Sequence, residues 1–203
     1  MMLSFNTSDQ MKDNVIQVIM ALLDDGGRKT SIKQLSDDLN INYSNVHSIV
    51  KKLQKSNLVF LEKYGGTYEC KLLKKVDPLI FHAEYMRSQN LLNVNKDLKI
   101  LKIKLNSLKF PFIALIFGSY AKGTKSKTSD IDLMIVSENG REKEFERVVN
   151  LLPLDIHLVT FNFDEFLAMA KNKDYSVVSE ALKLNIILLG IEDYYRVLED
   201  VRE

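Results

Sequence analysis

The chain has 203 residues, 46% of them hydrophobic and 27% charged, with a formal net charge of +1. That length holds one large domain or two small ones, and the composition is ordinary for a soluble globular protein. A charge so near balance excludes bulk electrostatic attraction to nucleic acid or membrane, so any basic surface has to be local.

Cys70 is the only cysteine. It allows no intrachain disulfide, fits a reducing cytosol and reads as a packed thiol with no partner to make it a nucleophile. The start, MMLSFNTSDQ, has neither the basic residues nor the apolar core of a signal segment. No apolar run approaches the ~18 residues that a bilayer-crossing helix needs. These features predict a cytoplasmic protein with no membrane partner.

A first helix, capped by Ser8 or Asp9, is expected to turn Met11, Val15, Val18, Ile19 and Leu22 inward, and Asp24-Asp25-Gly26-Gly27 stops it. A second helix fits Ser31 to Leu39. A third runs from Tyr43 to Lys55, with Val46, Ile49, Val50 and Leu53 as its buried stripe. Leu58 to Lys63 and Thr67 to Leu73 read as strands joined by Tyr64-Gly65-Gly66, a hairpin turn. Three helices and a hairpin in this order resemble a winged helix-turn-helix, over residues 1–76.

Between Arg28 and Lys75 stand ten basic residues against four acidic ones, so the basic surface is concentrated here. In such a fold the third helix enters the major groove, small polar groups meet base edges and cations hold phosphates. Ser44, Asn45, His47, Ser48, Lys51 and Lys52 are the candidate DNA-binding residues. Duplex DNA is the candidate partner, with a docking or dimerisation module (a homodimer among the outcomes) as the alternative.

Val76 to Asn90 reads as irregular, with Asp77-Pro78 as a break, and Leu91 to Leu108 as one long helix striped by Leu91, Val94, Leu98, Leu101, Leu105 and Leu108. Residues 77–109 are thus a linker and connecting helix. Ile100 and Ile103 add a second apolar edge to that helix.

The apolar run Phe112 to Phe117 then leads into Gly118-Ser119, and Ser119 to Lys122 suits a short helix. Asp130 and Asp132 follow on a strand that continues Leu133-Met134-Ile135-Val136. Alternation puts the two acids on one face and Ile131, Leu133 and Ile135 on the other. Two neighbouring carboxylates repel unless a cation lies between them, and a hard divalent ion such as Mg²⁺ takes oxygen ligands while keeping room for water and phosphate. Gly118 lets the backbone approach a ligand closely, Ser119 adds a hydroxyl, and free N–H groups attract an anion. Solvated acids on an edge strand are the alternative for each feature alone; together they point to metal-assisted phosphoryl or nucleotidyl transfer.

Beyond a loop, Glu142 to Leu152 is amphipathic and Leu154 to Phe161 is a strand with Asp155 and His157 on one face. Phe163 to Lys171, Val177 to Leu189 and Glu192 to Val201 read as three closing helices. His157 lines the site or is a core or rim histidine.

Gly118-Ser119-x-Ala121-x-Gly123 followed by Ser129-Asp130-Ile131-Asp132-Leu133 resembles the signature of the DNA polymerase β-type nucleotidyltransferase superfamily, over roughly Phe110 to Glu199. In this fuller form it resembles the minimal nucleotidyltransferase branch, which includes antitoxins paired with HEPN-type toxins. The resemblance implies an α+β fold: after the winged helix-turn-helix comes a small mixed-sheet nucleotidyltransferase domain, residues 110–203, covered by helices.

The same resemblance implies Asp155 as a third acid, and catalysis and metal binding by Asp130, Asp132 and Asp155 with Mg²⁺ or Mn²⁺. It implies nucleotide binding by Gly118, Ser119, Lys122 and Ser129, although Lys122 reads equally as a solvated lysine. The expected enzyme is a nucleotidyltransferase moving a nucleoside monophosphate, AMP from ATP, to a hydroxyl of a small molecule or a protein such as a HEPN-type toxin. A DNA-binding transcriptional regulator, whose nucleotidyltransferase-like half senses nucleotide or mediates assembly, is the alternative.

Overall fold

A computed structural model describes residues 7–126, 129–172 and 176–201. The leaderless reading of the first six residues and the capping groups of Ser8 and Asp9 lie outside what is described. The chain forms two compact units, Met1–Ala83 and Glu84–Glu203.

The N-terminal unit contains α1 (Thr7–Leu23), α2 (Ile32–Leu39), α3 (Tyr43–Lys55) and a hairpin of β1 (Val59–Tyr64) and β2 (Thr67–Leu72). Helix α2 starts where Ser31 makes a capping box. Its hydroxyl accepts the Gln34 N–H at 3.2 Å, and Gln34 Oε1 accepts the Ser31 N–H at 2.8 Å. Asn40 ends the helix in the left-handed region, φ 51°. Val46, Ile49, Val50 and Leu53 of α3 are buried, as are Val18, Ile19, Leu22, Leu35 and Leu58. Met11, expected inward, is 51% exposed; it lies about one helical turn short of the packed stripe, which begins at Ile16. The segment ahead of α2 bridges to β2, Ser31 opposite Glu69, and the Cys70 N–H donates to Thr30 O at 2.8 Å. Cys70 is buried, and that burial, helped by the Glu69 charge, pushes its thiol up to about 11. A thiol held protonated is an inert packing group.

Helix α4 (Pro78–Val94) corrects the expectation of irregular chain between Val76 and Asn90. Asp77-Pro78 starts a helix here: Asp77 Oδ1 accepts the Leu79 N–H at 2.8 Å, Asp77 O accepts the Phe81 N–H at 3.0 Å, and proline suits the first helical position. The single helix expected over Leu91 to Leu108 is also corrected. It breaks at Asn95, whose backbone is extended (φ −133°) and whose side-chain amide donates to Leu91 O at 2.8 Å. Asparagine side chains compete in this way for helical carbonyls. Helix α5 (Lys96–Leu105) follows, burying Leu98, Leu101 and Leu105 and leaving Ile100 and Ile103 exposed, as is Val94 at the end of α4.

The C-terminal unit is built on a mixed sheet of order β5-β4-β3-β6. Its strands are β3 (Ile113–Phe117), β4 (Ile131–Ser137), β5 (Ile156–Asn162) and β6 (Ile186–Leu189). Strand β3 is antiparallel to β4 and β6, whereas β4 and β5 are parallel and connected through α7 (Glu142–Asn150). One sheet face carries Ala114, Ile116, Ile131, Leu133 and Ile135. It packs with Leu98, Leu101 and Leu105 of α5 and with Phe145 and Val149 of α7. Helices α8 (Phe163–Lys171), α9 (Val177–Lys183) and α10 (Ile191–Asp200) pack against β3, β4 and β5. Between β3 and β4 the chain makes one short helix, α6 (Gly118–Ala121).

The end of the helix expected over Val177 to Leu189 is instead β6. Helix α9 stops at Lys183, and the Asn185 side chain donates to Ala181 O at 2.6 Å, taking the carbonyl that a continuing helix would use. Ile186 and Ile187, β-branched and buried, then pair with β3. A short apolar run of this kind suits a buried strand as well as a buried helix, and periodicity cannot separate the two.

Tyr194 and Tyr195 of α10 are fully buried in a polar network. Arg87 and Glu84, 4% and 2% exposed, form an ion pair at 2.6 Å. The Tyr195 hydroxyl donates to Glu84 Oε1 at 2.6 Å, and Arg87 Nη2 donates to Asn185 O at 2.9 Å. Asn185 Nδ2 in turn donates to the Tyr194 hydroxyl at 2.8 Å. Among the described residues no helix is long and apolar enough to cross a membrane.

Candidate active site

The site begins where β3 ends. All five residues of β3 are buried, and Phe117 stands opposite Asp132 of β4. Gly118 then turns the chain with φ 65° and lies directly under the Asp132 side chain. A methyl group built on Gly118 would overlap Asp132 Oδ2 and sit 2.9 Å from its Cγ. Glycine is therefore required twice, by the left-handed backbone and by the close approach of the carboxylate.

Strand β4 turns Ile131, Leu133 and Ile135 into the core, as alternation demands, and so puts Asp132 on the opposite face, 28% exposed. Strand β5 runs parallel beside it with Ile131 opposite Ile156 and Asp132 opposite His157. Residues side by side in a sheet share a face, so His157 stands on the Asp132 face. Its Nδ1 lies 3.3 Å from Asp132 Oδ1, and its side chain is 62% exposed.

Asp130 and Asp155 each precede their strand by one residue and are exposed. The Asp155 carbonyl accepts the Ile131 N–H at 2.9 Å, which zips the two strand entries together. The same register carries Asp130 opposite Asp155, on the face of Asp132 and His157. The topology thus gathers Asp130, Asp132, Asp155 and His157 at one sheet edge next to Gly118. Among the described residues, no three His, Cys, Asp or Glu side chains close on a single point able to hold a metal. The close contact is between Asp132 and His157. Carboxylate oxygen is nonetheless the donor type that a hard divalent cation takes.

The expected nucleotide ligands are placed unequally. Ser119 lies in the single turn of α6, half-buried, and its carbonyl accepts the Thr124 N–H at 3.0 Å. Lys122 is ion-paired with Glu180 of α9 at 2.8 Å. The Ser129 hydroxyl accepts the Ser126 N–H at 2.8 Å and lies 3.0 Å from the Ser126 hydroxyl, so it ties its own loop together. Lys125, which sequence reasoning passed over, hydrogen-bonds Asn95 Oδ1 and lies over the Tyr120 ring at 4.8 Å. The Glu180 pairing was also missed, because the partners are far apart in the chain and carry no joint motif. His157 stands two residues beyond Asp155 on an alternating strand, which puts the two on one face.

In the N-terminal unit, Ser44, Asn45, His47, Ser48, Lys51 and Lys52 are all exposed on α3. His47 stacks on Tyr43 at 6.1 Å between ring centroids, and the Ser44 hydroxyl donates to Asn42 Oδ1 at 2.6 Å. A pocket of about 530 Å³ opens between the end of α1 and the hairpin, lined by Asp25, Arg28, Lys29, Tyr64, Glu69 and Lys71 among others. Two of its cations are already engaged: Lys29 lies 3.7 Å over the Tyr64 ring, and Lys71 pairs with Glu62.

Residues 98–184 match the family model of the nucleotidyltransferase domain. That stretch holds the Gly118 turn, both strand-entry acids, Asp132 and His157, and runs from α5 to the end of α9. It begins earlier and ends earlier than the Phe110 to Glu199 of the motif-based reading, leaving out β6, α10 and the N-terminal unit. No curated protein and no solved structure matches the chain.

Proposed function

We propose that the C-terminal unit transfers a nucleoside monophosphate, AMP from ATP, to a hydroxyl of a protein or small molecule. The observation that carries this reading is the Asp132 carboxylate seated over the Gly118 turn within a nucleotidyltransferase domain. Asp130, Asp132 and Asp155 would hold a divalent cation, Mg²⁺ or Mn²⁺, which when bound would supply positive charge to offset that of the triphosphate. The chain's own residues do the rest. The Gly118 backbone and the Ser119 hydroxyl hold the β- and γ-phosphates, and Ser129 keeps the loop beside them closed. A triphosphate draws Lys122 from its pairing with Glu180. The acceptor hydroxyl gives its proton to Asp155 as its oxygen bonds to the α-phosphorus, and the α–β phosphoanhydride bond breaks to release pyrophosphate. The connection over residues 77–109 and the catalytic domain over 110–203 are part of this proposal.

The test is incubation of the full chain with ATP labelled at the α-phosphate, Mg²⁺ and cell lysate, beside Asp130→Ala/Asp132→Ala. Label appearing in a product only with the wild type is expected, with a loss of at least about 100-fold in the variant, since two metal-binding acids are gone. Equal labelling by both proteins sinks the reading.

The second reading, favoured by the exposure of all six polar and basic positions on α3, makes the N-terminal unit a winged helix-turn-helix that binds duplex DNA. The whole chain then serves as a transcriptional regulator. Lys51→Glu/Lys52→Glu should abolish a mobility shift of duplex DNA that weakens steeply between low and moderate salt. A shift untouched by the double charge reversal rejects it.

A further inference from the structure

We propose that two copies of this chain join through β5, the open edge of the C-terminal sheet, which pairs antiparallel with itself about a two-fold axis at Leu158. The contact needs no nucleotide, so it stands or falls apart from the transfer reading.

In the order β5-β4-β3-β6 the edges are β5 and β6. Strand β6 is short and closed: Ile186, Ile187 and Leu188 are buried, and the Asn185 carbonyl ahead of them accepts from Arg87. Strand β5 has seven residues, half-buried except for the exposed His157, and among the described residues its backbone ladder is with β4 alone. The bond from the Ile131 N–H to Asp155 O sets the phase of that ladder. Backbone groups of successive residues point to opposite sides of a strand, so His157, Val159 and Phe161 turn theirs to β4. Ile156, Leu158 and Thr160 turn theirs to the open side. Asn162 confirms the phase, because its N–H, also on the open side, is taken by Glu165 Oε2 at 3.0 Å.

Exposed edges are normally blunted by lysine, proline or a bulge. From Ile156 to Asn162 there is no proline, Lys, Arg, Asp or Glu, and the register with β4 runs unbroken. The N-terminal hairpin, by contrast, carries Glu62, Lys63, Glu69 and Lys71 on its strands. A long neutral edge without such devices is a template for another strand.

The strand's own symmetry selects a second copy as the occupant. Antiparallel partners exchange both of their hydrogen bonds where an open residue faces an open residue. Leu158 against Leu158 achieves this along the whole edge, with Ile156 opposite Thr160 on either side, for about six hydrogen bonds. An axis at His157 would set Thr160 against Leu154, ahead of the strand. An axis at Val159 would set Ile156 against Asn162, whose N–H is already engaged. The side chains agree with the Leu158 register: His157 meets Val159 and Asp155 meets Phe161, so no like charges stand opposite each other. On the Asp132 face each copy then puts Phe161 beside the other's Asp155, at the acidic edge. One patch contacting its own copy about a two-fold axis is also the commonest assembly of soluble chains.

Sedimentation of the full chain at up to about 100 µM should show a monomer–dimer equilibrium. Thr160→Pro removes an N–H that β4 does not use, so circular dichroism should stay that of the wild type while self-association weakens at least about tenfold. Cysteine variants read the register directly, since Cys70 is buried. Under mild oxidation Leu158→Cys should cross-link to its own copy, because hydrogen-bonded antiparallel pairs stand about 5.5 Å apart between Cα atoms, within disulfide reach. Ile156→Cys and Thr160→Cys should cross-link only when the two variants are mixed. If Thr160→Pro unfolds, the cysteine pattern alone decides. A chain that stays monomeric, a dimer that a folded Thr160→Pro leaves intact, or cross-links that do not follow this register overturn the proposal.

Discussion

Gly118 shows how one residue can link backbone geometry to chemistry. Its φ of 65° suits glycine, and the Asp132 carboxylate occupies the space that any side chain would fill. Gly118→Ala therefore has two costs: strain in the left-handed region of about 1 kcal/mol, and displacement of Asp132 from the turn. We expect the variant to unfold at slightly lower denaturant while losing more than about 100-fold in transfer, because misplacing a catalytic group by an ångström can have that effect. Denaturation and the labelling assay on the same preparation check it. Activity retained within a few-fold would mean that the contact between Gly118 and Asp132 is dispensable. The Gly-Ser and Asp-x-Asp pairs were legible in the sequence because each sits at the end of an apolar run. What their spacing could not show is that Phe117 and Asp132 are direct neighbours in the sheet, or that Ser129 and Lys122 are engaged by Ser126 and Glu180.

At the scale of elements, turn signals and alternation predicted best, and long apolar runs misled. Helices α2 and α3 appear where Ser31 and Asn42 put their caps, and the hairpin turns at Gly65-Gly66. Ser31 carries a further role, since it bridges to Glu69 of β2 while capping α2. Ser31→Ala should destabilise the N-terminal unit by about 1 kcal/mol, the usual worth of such a cap, and Ser31→Thr should restore much of it. Urea denaturation followed by circular dichroism measures both; an Ala variant as stable as the parent rejects the capping argument. Strand β6 and the break at Asn95 were missed for one reason. In each case an asparagine side chain takes a helical carbonyl, and in isolation that looks no different from a polar residue on a helix surface.

For the molecule as a whole, the Glu84–Arg87 pair and the two tyrosines hold α4, α10 and the segment ahead of β6 together inside the C-terminal unit. A buried ion pair adds little against an apolar substitute, but breaking it strands a charge. Glu84→Ala should cost about 3–5 kcal/mol by removing the carboxylate that balances the buried Arg87 charge. Tyr195→Phe should cost about 1.5–3 kcal/mol, the worth of one hydrogen bond to a charged group. Guanidinium unfolding of the full chain gives both values, and a Glu84→Ala protein within 1 kcal/mol of the wild type would remove the network from any account of stability.

What the sequence determined by itself were the features written in neighbouring residues: caps, turns, the period of each stripe, and two acids that alternation must put on one face of a strand. The Gly-Ser and Asp-x-Asp motif carried the nucleotidyltransferase resemblance, and that resemblance implied the α+β class. Only the tertiary structure decided which distant residues meet: His157 beside Asp132, Glu180 on Lys122, and Glu84 beneath Tyr195. Such pairings are set by strand register and helix packing, in which each contact depends on the placement of every other element, so no window of the chain contains them.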